Sequence, residues 1–304
     1  MAVIACKGLS KWYGDVIAVN DITVDLQPGV TGLLGPNGAG KSSLIRMAVG
    51  LQQPSAGSIL VLDENPWDHP RLLARIGYVP EGDAPWRDRT GHRAAVLAAR
   101  LSGLSGEAAE QAAERALKQV GLDAQRDKVV GAYSRGMRQK LKLGLALLHD
   151  PELLILDEPL LGSDPTSRRD LIHLIQDIAK QGKSALVSTH VLPDVEAMTQ
   201  RILLLNHGRL MAHGEVREIR DLLERYPRTV RVATSQPREL GALLWSWPSV
   251  LSIQCEEGAV IVRTKQPQAF FEALQGLLVQ KDTPFASITS LDEDVEAIFR
   301  YLVG

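Results

Sequence analysis

The stretch that most constrains this chain lies at residues 35–42 and reads Gly-Pro-Asn-Gly-Ala-Gly-Lys-Ser. It fits the pattern G-x-x-x-x-G-K-[ST] and stands between an apolar run typical of a strand and a segment typical of a helix. Glycines let the backbone wrap around phosphate groups with its N–H groups turned inward, and the start of the next helix adds its dipole. We therefore predict a phosphate-binding P-loop rather than a glycine-rich turn that binds nothing.

The residue types in this loop predict how it holds its ligand. Lys41 is expected to reach the β- and γ-phosphates, and the Ser42 hydroxyl is expected to ligate magnesium. ATP and Mg²⁺ are the predicted cofactors. The residues of this segment that we predict to contact the nucleotide are Gly35, Pro36, Asn37, Gly38, Ala39, Gly40, Lys41, Ser42 and Ser43.

Short apolar runs alternate with helical segments over residues 1–225, which predicts an α/β domain with a largely parallel sheet. The chain has 304 residues, of which 45% are hydrophobic and 23% charged, as is usual for a soluble globular protein. Strands are predicted at 30–34, 58–62, 153–156, 184–188 and 201–205, and helices at 41–49, 107–120, 139–148 and 215–225.

The sequence changes in character near residue 225, and residues 226–304 predict a separate small α+β domain. Its predicted order, strand-helix-strand-strand-helix-strand, is ferredoxin-like. Ser290 followed by Glu293 is a capping-box pattern that predicts a final helix. The predicted strands are 229–233, 250–255, 259–263 and 285–289, and the predicted helices are 237–244 and 267–278.

A second feature linked to phosphate chemistry is the apolar run at 153–156, which ends in Asp157 and Glu158. The carboxyl end of a parallel strand faces the crevice where ligands bind, so both carboxylates are expected beside the phosphates. Asp157 can hold magnesium through water, and Glu158 can take a proton from the attacking water or orient it. A buried strand with an exposed acidic end is the plainer alternative, but the P-loop favours ATP hydrolysis.

Residues 133–137, Tyr-Ser-Arg-Gly-Met, are similar to the signature loop L-S-G-G-Q and lie 23 residues before the acidic pair. With the P-loop and the acidic strand, they make residues 1–220 resemble the ATP-binding subunit of ATP-binding cassette (ABC) transporters. The resemblance implies an ABC-type P-loop domain with a helical subdomain at about 85–150. It also implies that Ser134 and Gly136 reach the γ-phosphate held by a second copy of the chain, in an ATP-sandwich dimer.

Three further segments resemble motifs of this family. His190, in Ser-Thr-His at 188–190, resembles the switch histidine that contacts the γ-phosphate and the water-positioning carboxylate. Asp164 lies in a segment that resembles the D-loop, which communicates across the dimer. Tyr13 resembles the aromatic residue that stacks on adenine, although its neighbour Trp12 could take that role instead.

The sequence departs from the family pattern at a few positions. Glu81, in Tyr-Val-Pro-Glu, stands where the Q-loop usually has glutamine; a carboxylate keeps an oxygen for magnesium but loses the amide donor and adds charge. Arg135 and Met137 look like the S-[KR]-G-M-R-Q variant of export-type cassettes, so they favour an exporter over an importer. Ser163 replaces the usual leucine of the D-loop, and the sequence does not explain it.

Charge and hydropathy bear on partners and location. The net charge of −2 gives no general attraction to nucleic acid, and we expect no such partner. We predict no signal peptide, since the short apolar stretch within residues 1–10 is broken by Lys7, and no spanning helix, since the uncharged stretch 47–62 contains Pro54 and Gly57. The resemblance therefore implies a cytoplasmic subunit that is peripheral on the cell membrane through a polytopic permease partner. A soluble ABC ATPase acting on ribosomes or DNA, and a slow regulatory module, remain as alternatives.

Overall fold

The structure is a computed structural model that describes residues 2–216, 227–279 and 285–291. The chain divides into two units, Met1–Gly214 and Glu215–Gly304, and each is treated by itself. The domain boundary predicted near residue 225 and most of the helix predicted at 215–225 fall outside the described residues. The domain ranges 1–225 and 226–304 therefore stay a prediction.

The first unit mixes strands and helices along its whole length. Its strands are β1 (Ile4–Tyr13), β2 (Val16–Leu26), β3 (Val30–Leu34), β4 (Ala56–Val61), β5 (Ile76–Val79), β6 (Leu153–Leu156), β7 (Ser184–Thr189), β8 (Arg201–Asn206) and β9 (Arg209–Glu215). Its α-helices are α1 (Lys41–Ala48), α2 (Pro70–Leu73), α3 (Gly91–Leu101), α4 (Gly106–Gln119), α5 (Arg135–Leu147), α6 (Pro165–Lys180) and α7 (Leu192–Met198).

The larger sheet of this unit has the strand order β5-β6-β7-β3-β8-β9. Its pairs from β5 to β8 are parallel, as the alternating sequence pattern predicts. Every residue of β3, β6 and β7 is buried, which is typical of parallel strands covered on both faces. Because parallel strands end at one edge, the segments that follow β3, β6 and β7 come together there.

A second, antiparallel sheet has the order β2-β1-β4. The strand predicted at 58–62 belongs to this sheet and not to the parallel one, since Ile4 of β1 lies opposite Val61 of β4. The physical reason is visible in β4, whose last residues alternate between exposed and buried. That alternation suits a sheet with one solvated face, whereas the parallel strands are buried throughout.

Helices α3, α4 and α5 build a helical layer around a shared core that includes Ala94, Leu117 and Leu141. A helical subdomain is part of the predicted fold class, while its bounds of about 85–150 stay a prediction. Helix α5 begins four residues earlier than the predicted start at 139, because Ser134 caps it: the Ser134 Oγ accepts a hydrogen bond of 3.1 Å from the Met137 N–H.

The described part of the second unit follows the predicted order of elements. These are β10 (Arg228–Thr234), α8 (Pro237–Trp245), β11 (Val250–Glu256), β12 (Ala259–Thr264), α9 (Pro267–Val279) and β13 (Phe285–Ser290). The sheet order is β11-β12-β10-β13 with antiparallel pairs, and Phe270 and Leu274 of α9 pack into its core. The helix predicted after Ser290 lies outside the described residues, so the ferredoxin-like assignment of the complete segment stays a prediction.

Within the described ranges, no helix has the length and apolar character needed to cross a bilayer.

The two cysteines give a test of this packing. Cys6 in β1 is 1% exposed, and burial, helped by the charge of Asp25, raises the pKa of its thiol to about 12. Cys255 in β11 is exposed. Because the thiolate is the reactive form, we expect a thiol reagent at about pH 8 to label Cys255 and leave Cys6 untouched in the folded protein.

Peptide mapping by mass spectrometry would locate the label. Labelling in denaturant should modify both cysteines, and Cys255→Ser should remove the label from the native protein. Rapid modification of Cys6 without denaturant would mean that β1 is not packed as described.

Candidate functional site

The loop at 35–42 leads from the end of β3 into α1, which begins at Lys41. Gly40 has a φ of 100°, and a Cβ atom there would lie 2.3 Å from the carbonyl oxygen of Ala18. Only glycine fits this conformation and this close approach without displacing the backbone. The first turn of α1 leaves N–H groups without intrahelical partners, so this end of the helix attracts phosphate.

The side chain of Lys41 folds back over the loop that precedes it. Its Nζ donates hydrogen bonds to the carbonyl oxygens of Gly35 at 2.7 Å and Pro36 at 3.2 Å. The same Nζ lies 3.5 Å from Oε1 of Glu158, and both side chains are nearly buried. The predicted phosphate-binding lysine and the predicted water-activating carboxylate are therefore in direct contact.

Asp157 and Glu158 follow β6 directly, and both are buried. Glu158 has a φ of 48°, in the left-handed region that a residue with a side chain adopts only when its surroundings hold it there. The site thus fixes the backbone of Glu158 in a strained conformation at the edge of the sheet.

Ser188, in the neighbouring strand β7, holds both acidic residues. It is fully buried, its Oγ donates to Asp157 Oδ1 at 2.6 Å, and the same Oγ accepts from the backbone N–H of Glu158 at 2.8 Å. Sequence reasoning gave Ser188 no role of its own. The available signal was its position two residues before His190, on a strand that ends at the same edge.

His190, the residue after β7, contacts the carboxylate of Glu158. Its Nδ1 lies 3.2 Å from both carboxylate oxygens of Glu158, and its side chain is 39% exposed while that of Glu158 is 10% exposed. Glu158 therefore touches Lys41 and His190 at once. An imidazole that donates to a carboxylate is held in one orientation, with its other nitrogen free to face a ligand.

Ser134 and Gly136 lie at the start of α5, against the start of α6. A Cβ atom at Gly136 would lie 2.1 Å from the Oγ of Ser167, so α5 and α6 approach more closely here than any other residue would allow. Among the described residues, no hydrogen bond or ion pair joins Ser134 or Gly136 to the P-loop. They form a separate group at the start of α5, in which Ser134 is exposed and Gly136 is buried.

Asp164 caps α6 within the same group. The Ser167 hydroxyl donates to its Oδ2 at 2.7 Å and the Ser167 N–H to its Oδ1 at 3.0 Å, and these hydrogen bonds lower the pKa of the Asp164 carboxyl. Ser163 beside it has a buried hydroxyl with no hydrogen-bond partner in the described structure. Nothing in the structure explains why this position carries serine.

Glu81 is exposed in the loop after β5 and lines a cavity of about 590 Å³. Glu158, Arg135 and Lys142 line the same cavity. Glu81, the predicted Q-loop residue, and Glu158 therefore line one cavity.

Tyr13 ends β1 with an exposed ring. Its hydroxyl donates to Oε1 of Gln52, and the Nζ of Lys11 lies 5.3 Å from the centre of its ring. Trp12 is exposed to a similar degree. Both rings are accessible, so the assignment of an adenine-stacking residue stays open between them.

The residues predicted to ligate magnesium are Ser42, Asp157 and Glu81. Hydroxyl and carboxylate oxygens are the donors that Mg²⁺ prefers. Asp157 is 2% exposed and its described hydrogen bond comes from the neutral Ser188 hydroxyl, so a cation would offset its buried charge. The donor set fits Mg²⁺, although among the described residues no group of three His, Cys, Asp or Glu side chains could hold a metal alone.

Comparison with known proteins gives consistent matches. A family model described as ABC transporter matches residues 19–161. Over 273 residues, the chain is 32% identical to a Nod factor export ATP-binding protein I of Rhizobium sp. (strain N33), and the match covers 88% of each chain. A solved structure described as the ATP-binding subunit of an ABC transporter superposes with a TM-score of 0.65 at 30% identity, covering 73% of this chain and 93% of that one.

A third neighbour shows the shared fold. It is described as a dimeric post-hydrolysis state of an ATP-binding cassette bound to ADP and Pi. It superposes with a TM-score of 0.63 at 20% identity, covering 70% of this chain and 98% of that chain.

Ser188→Ala tests the role of the buried hydroxyl. It would leave the Glu158 N–H and the Asp157 carboxylate without their partner, so we expect urea unfolding to show a loss of about 1–3 kcal/mol and ATP hydrolysis to fall. Ser184→Ala is the matched control, because that buried serine lies at the other end of β7 and its Oγ accepts from the Gly29 N–H at 3.1 Å.

We expect Ser184→Ala to lower stability while hydrolysis is retained. Equal loss of hydrolysis in both variants would show that the effect of Ser188 is one of stability alone.

Proposed function

This chain belongs to the ATP-binding subunits of ABC transporters, and on that premise we propose how its residues hydrolyse ATP and what the hydrolysis drives. The observation that carries the proposal is the position of Glu158. Its buried carboxylate contacts both the P-loop lysine and His190, at the edge of the sheet where β3 ends and the P-loop begins. This is the arrangement that hydrolysis of a bound triphosphate needs.

The binding step uses the P-loop. Backbone N–H groups of the loop after Pro36 and of the first turn of α1 surround the phosphates, and Lys41 exchanges the Gly35 and Pro36 carbonyl oxygens for phosphate oxygens. Tyr13 or Trp12 stacks on the adenine. Ser42, Asp157 and Glu81 would hold Mg²⁺, which would neutralise charge on the phosphate oxygens.

The chemical step depends on Glu158. Its carboxylate accepts a proton from water as the water oxygen bonds to the γ-phosphorus, and the bond from that phosphorus to the ADP oxygen breaks. His190 holds the Glu158 carboxylate and offers its other nitrogen to the γ-phosphate. Ser188 keeps Asp157 and the Glu158 backbone in place through both of its hydrogen bonds.

We propose that the complete site contains two copies of the chain. Ser134, which is exposed, and Gly136, which is buried, lie at the start of a helix, where a hydroxyl and N–H groups would make a second anion site. Asp164 lies against Gly136, so these residues face the partner as one group. The dimeric cassette with the same fold supports this arrangement.

The hydrolysis drives export through a separate polytopic permease. Two observations support this direction: Arg135, Met137 and Glu81 follow the export-type pattern, and a relative over most of the chain is named for Nod factor export. The chain would then lie on the cytoplasmic face of the membrane, bound to its partner. Neither the ribosome- or DNA-directed alternative nor the regulatory one is favoured, because this relative is named for export and Lys41, Glu158 and His190 are in contact.

Glu158→Gln tests the two-copy mechanism. An amide cannot accept the proton, so ATP hydrolysis should fall about 100-fold or more while ATP still binds, and light scattering should detect a dimer in ATP. Glu152→Gln is the control, since Glu152 precedes β6, where it contacts Arg75 at 2.7 Å. A Glu158→Gln protein that stays monomeric in saturating ATP would rule out the ATP-closed dimer.

Affinity purification tests the partner. From detergent-solubilised membranes of the source cell, tagged Glu158→Gln protein in ATP should retain a protein with several apolar spanning helices, identified by mass spectrometry. The same preparation without nucleotide gives the reference. Recovery of ribosomal or DNA-bound proteins in place of such a permease would favour the soluble alternative.

A further inference from the structure

A buried lysine on α5 has no part in the proposed chemistry. Lys142 is 5% exposed, and its Nζ donates a hydrogen bond of 2.7 Å to the carbonyl oxygen of Gly82, the residue after Glu81. Burying an ammonium group is unfavourable unless hydrogen bonds and opposite charges compensate for the lost water. The groups around Lys142 should therefore show which hydrogen bonds and which opposite charges compensate for its burial.

Several carboxylates lie near the Lys142 ammonium group without a direct ion pair to it in the described structure. Glu81, Asp83 and Glu158 line the same cavity as Lys142. Burial lowers the pKa of Lys142, while the charges of Asp83, Asp157 and Glu81 act in the opposite direction and favour its charged form. Lys142 thus lines this cavity together with three carboxylates and with three further cations, Arg46, Arg135 and Arg138.

A second cation on the same face of α5 binds the same loop. Arg138 lies one turn before Lys142, and its Nε is 2.7 Å from Oδ1 of Asp83. Arg138 thus holds the side chain of Asp83, and Lys142 holds the carbonyl oxygen of Gly82, the residue before it. Helix α5 therefore fixes the two residues that follow Glu81.

The carboxylate of Glu81 is a negative charge that the Lys142 ammonium group can offset. Where glutamine is usual in the family, Glu81 adds a negative charge to a cavity that Glu158 also lines, with Asp157 beside it. Like charges in a partly buried site repel, and a nearby cation removes that repulsion. An amide at position 81 would add no negative charge there, and Asp83 and Asp157 would remain as acids near Lys142.

We propose that Lys142 is a positioning residue that matches Glu81: its ammonium group offsets the Glu81 charge and holds the loop so that Glu81 stays near the site. This inference rests on the proposed function of that site. It makes Glu81 and Lys142 a pair, in which each residue depends on the other although they are not in direct contact.

A double-mutant cycle tests the pairing. Lys142→Gln keeps a donor for the Gly82 carbonyl oxygen and removes the charge. We expect it to lower kcat roughly fivefold to tenfold when Glu81 is present and less than about twofold in the Glu81→Gln background, with KM for ATP nearly unchanged in both. Lys142→Arg, which keeps the charge, should restore most of the lost kcat.

Lys140→Gln is the matched control. Lys140 lies on the same helix and pairs with Asp170 at 2.7 Å, and neither residue is among those that line the cavity. Its loss should leave kcat within about twofold of the parent in either background. An equal effect of Lys142→Gln in both Glu81 backgrounds would overturn the pairing and leave Lys142 as a simple support of the Gly82 carbonyl.

The same variants can be compared by urea unfolding, which does not depend on activity. Glu81→Gln should raise the midpoint of the Lys142→Gln protein and not that of the Lys142 parent. The absence of this difference would also count against the pairing, even if Lys142→Gln folds poorly. Failure of the proposed function looks different: the parent protein would then show no ATP hydrolysis that Glu158→Gln abolishes.

Discussion

The contact between the Lys41 ammonium group and the Glu158 carboxylate is the interaction around which the site is organised. Both groups are nearly buried, and two opposite charges that have lost their water are stable together only if further partners satisfy them. Lys41 has the carbonyl oxygens of Gly35 and Pro36, and Glu158 has His190. These partners follow three neighbouring strands, so the contact requires β3, β6 and β7 to be parallel and to end at one edge.

The parts of this fold that could be predicted from sequence are those in which a local pattern determines the structure. The strands β3 and β6 have the predicted bounds because each is a short, continuous run of apolar residues, and the sheet buries every one of them. The pairing of β4 with β1 could not be predicted, since it joins residues far apart in the chain and β4 is half exposed. The early start of α5 depends on one cap, the Ser134 hydroxyl, which accepts a hydrogen bond from the Met137 N–H.

The site divides in the same way. The P-loop and the acidic pair could be predicted because their residues are consecutive and their chemistry is specific. Ser188 could not, because its partners lie 30 and 31 residues away in sequence and meet it only across the pairing of β6 with β7. The charge match between Lys142 and the Glu81 loop is a similar case. It could not be inferred from the sequence, because only the fold brings α5 against the loop after β5.

The close approach of α5 to α6 at Gly136 has a consequence for how the sequence can change over evolutionary time. A Cβ atom at 136 would meet the Ser167 side chain, so even alanine must separate the two helices. The neighbouring positions face no such limit: Arg135 is exposed and Met137 is only partly buried. Mutation can therefore vary the two flanks of the signature segment, as the arginine and methionine of this chain illustrate, while the residue between them stays fixed by the shape of the helix contact.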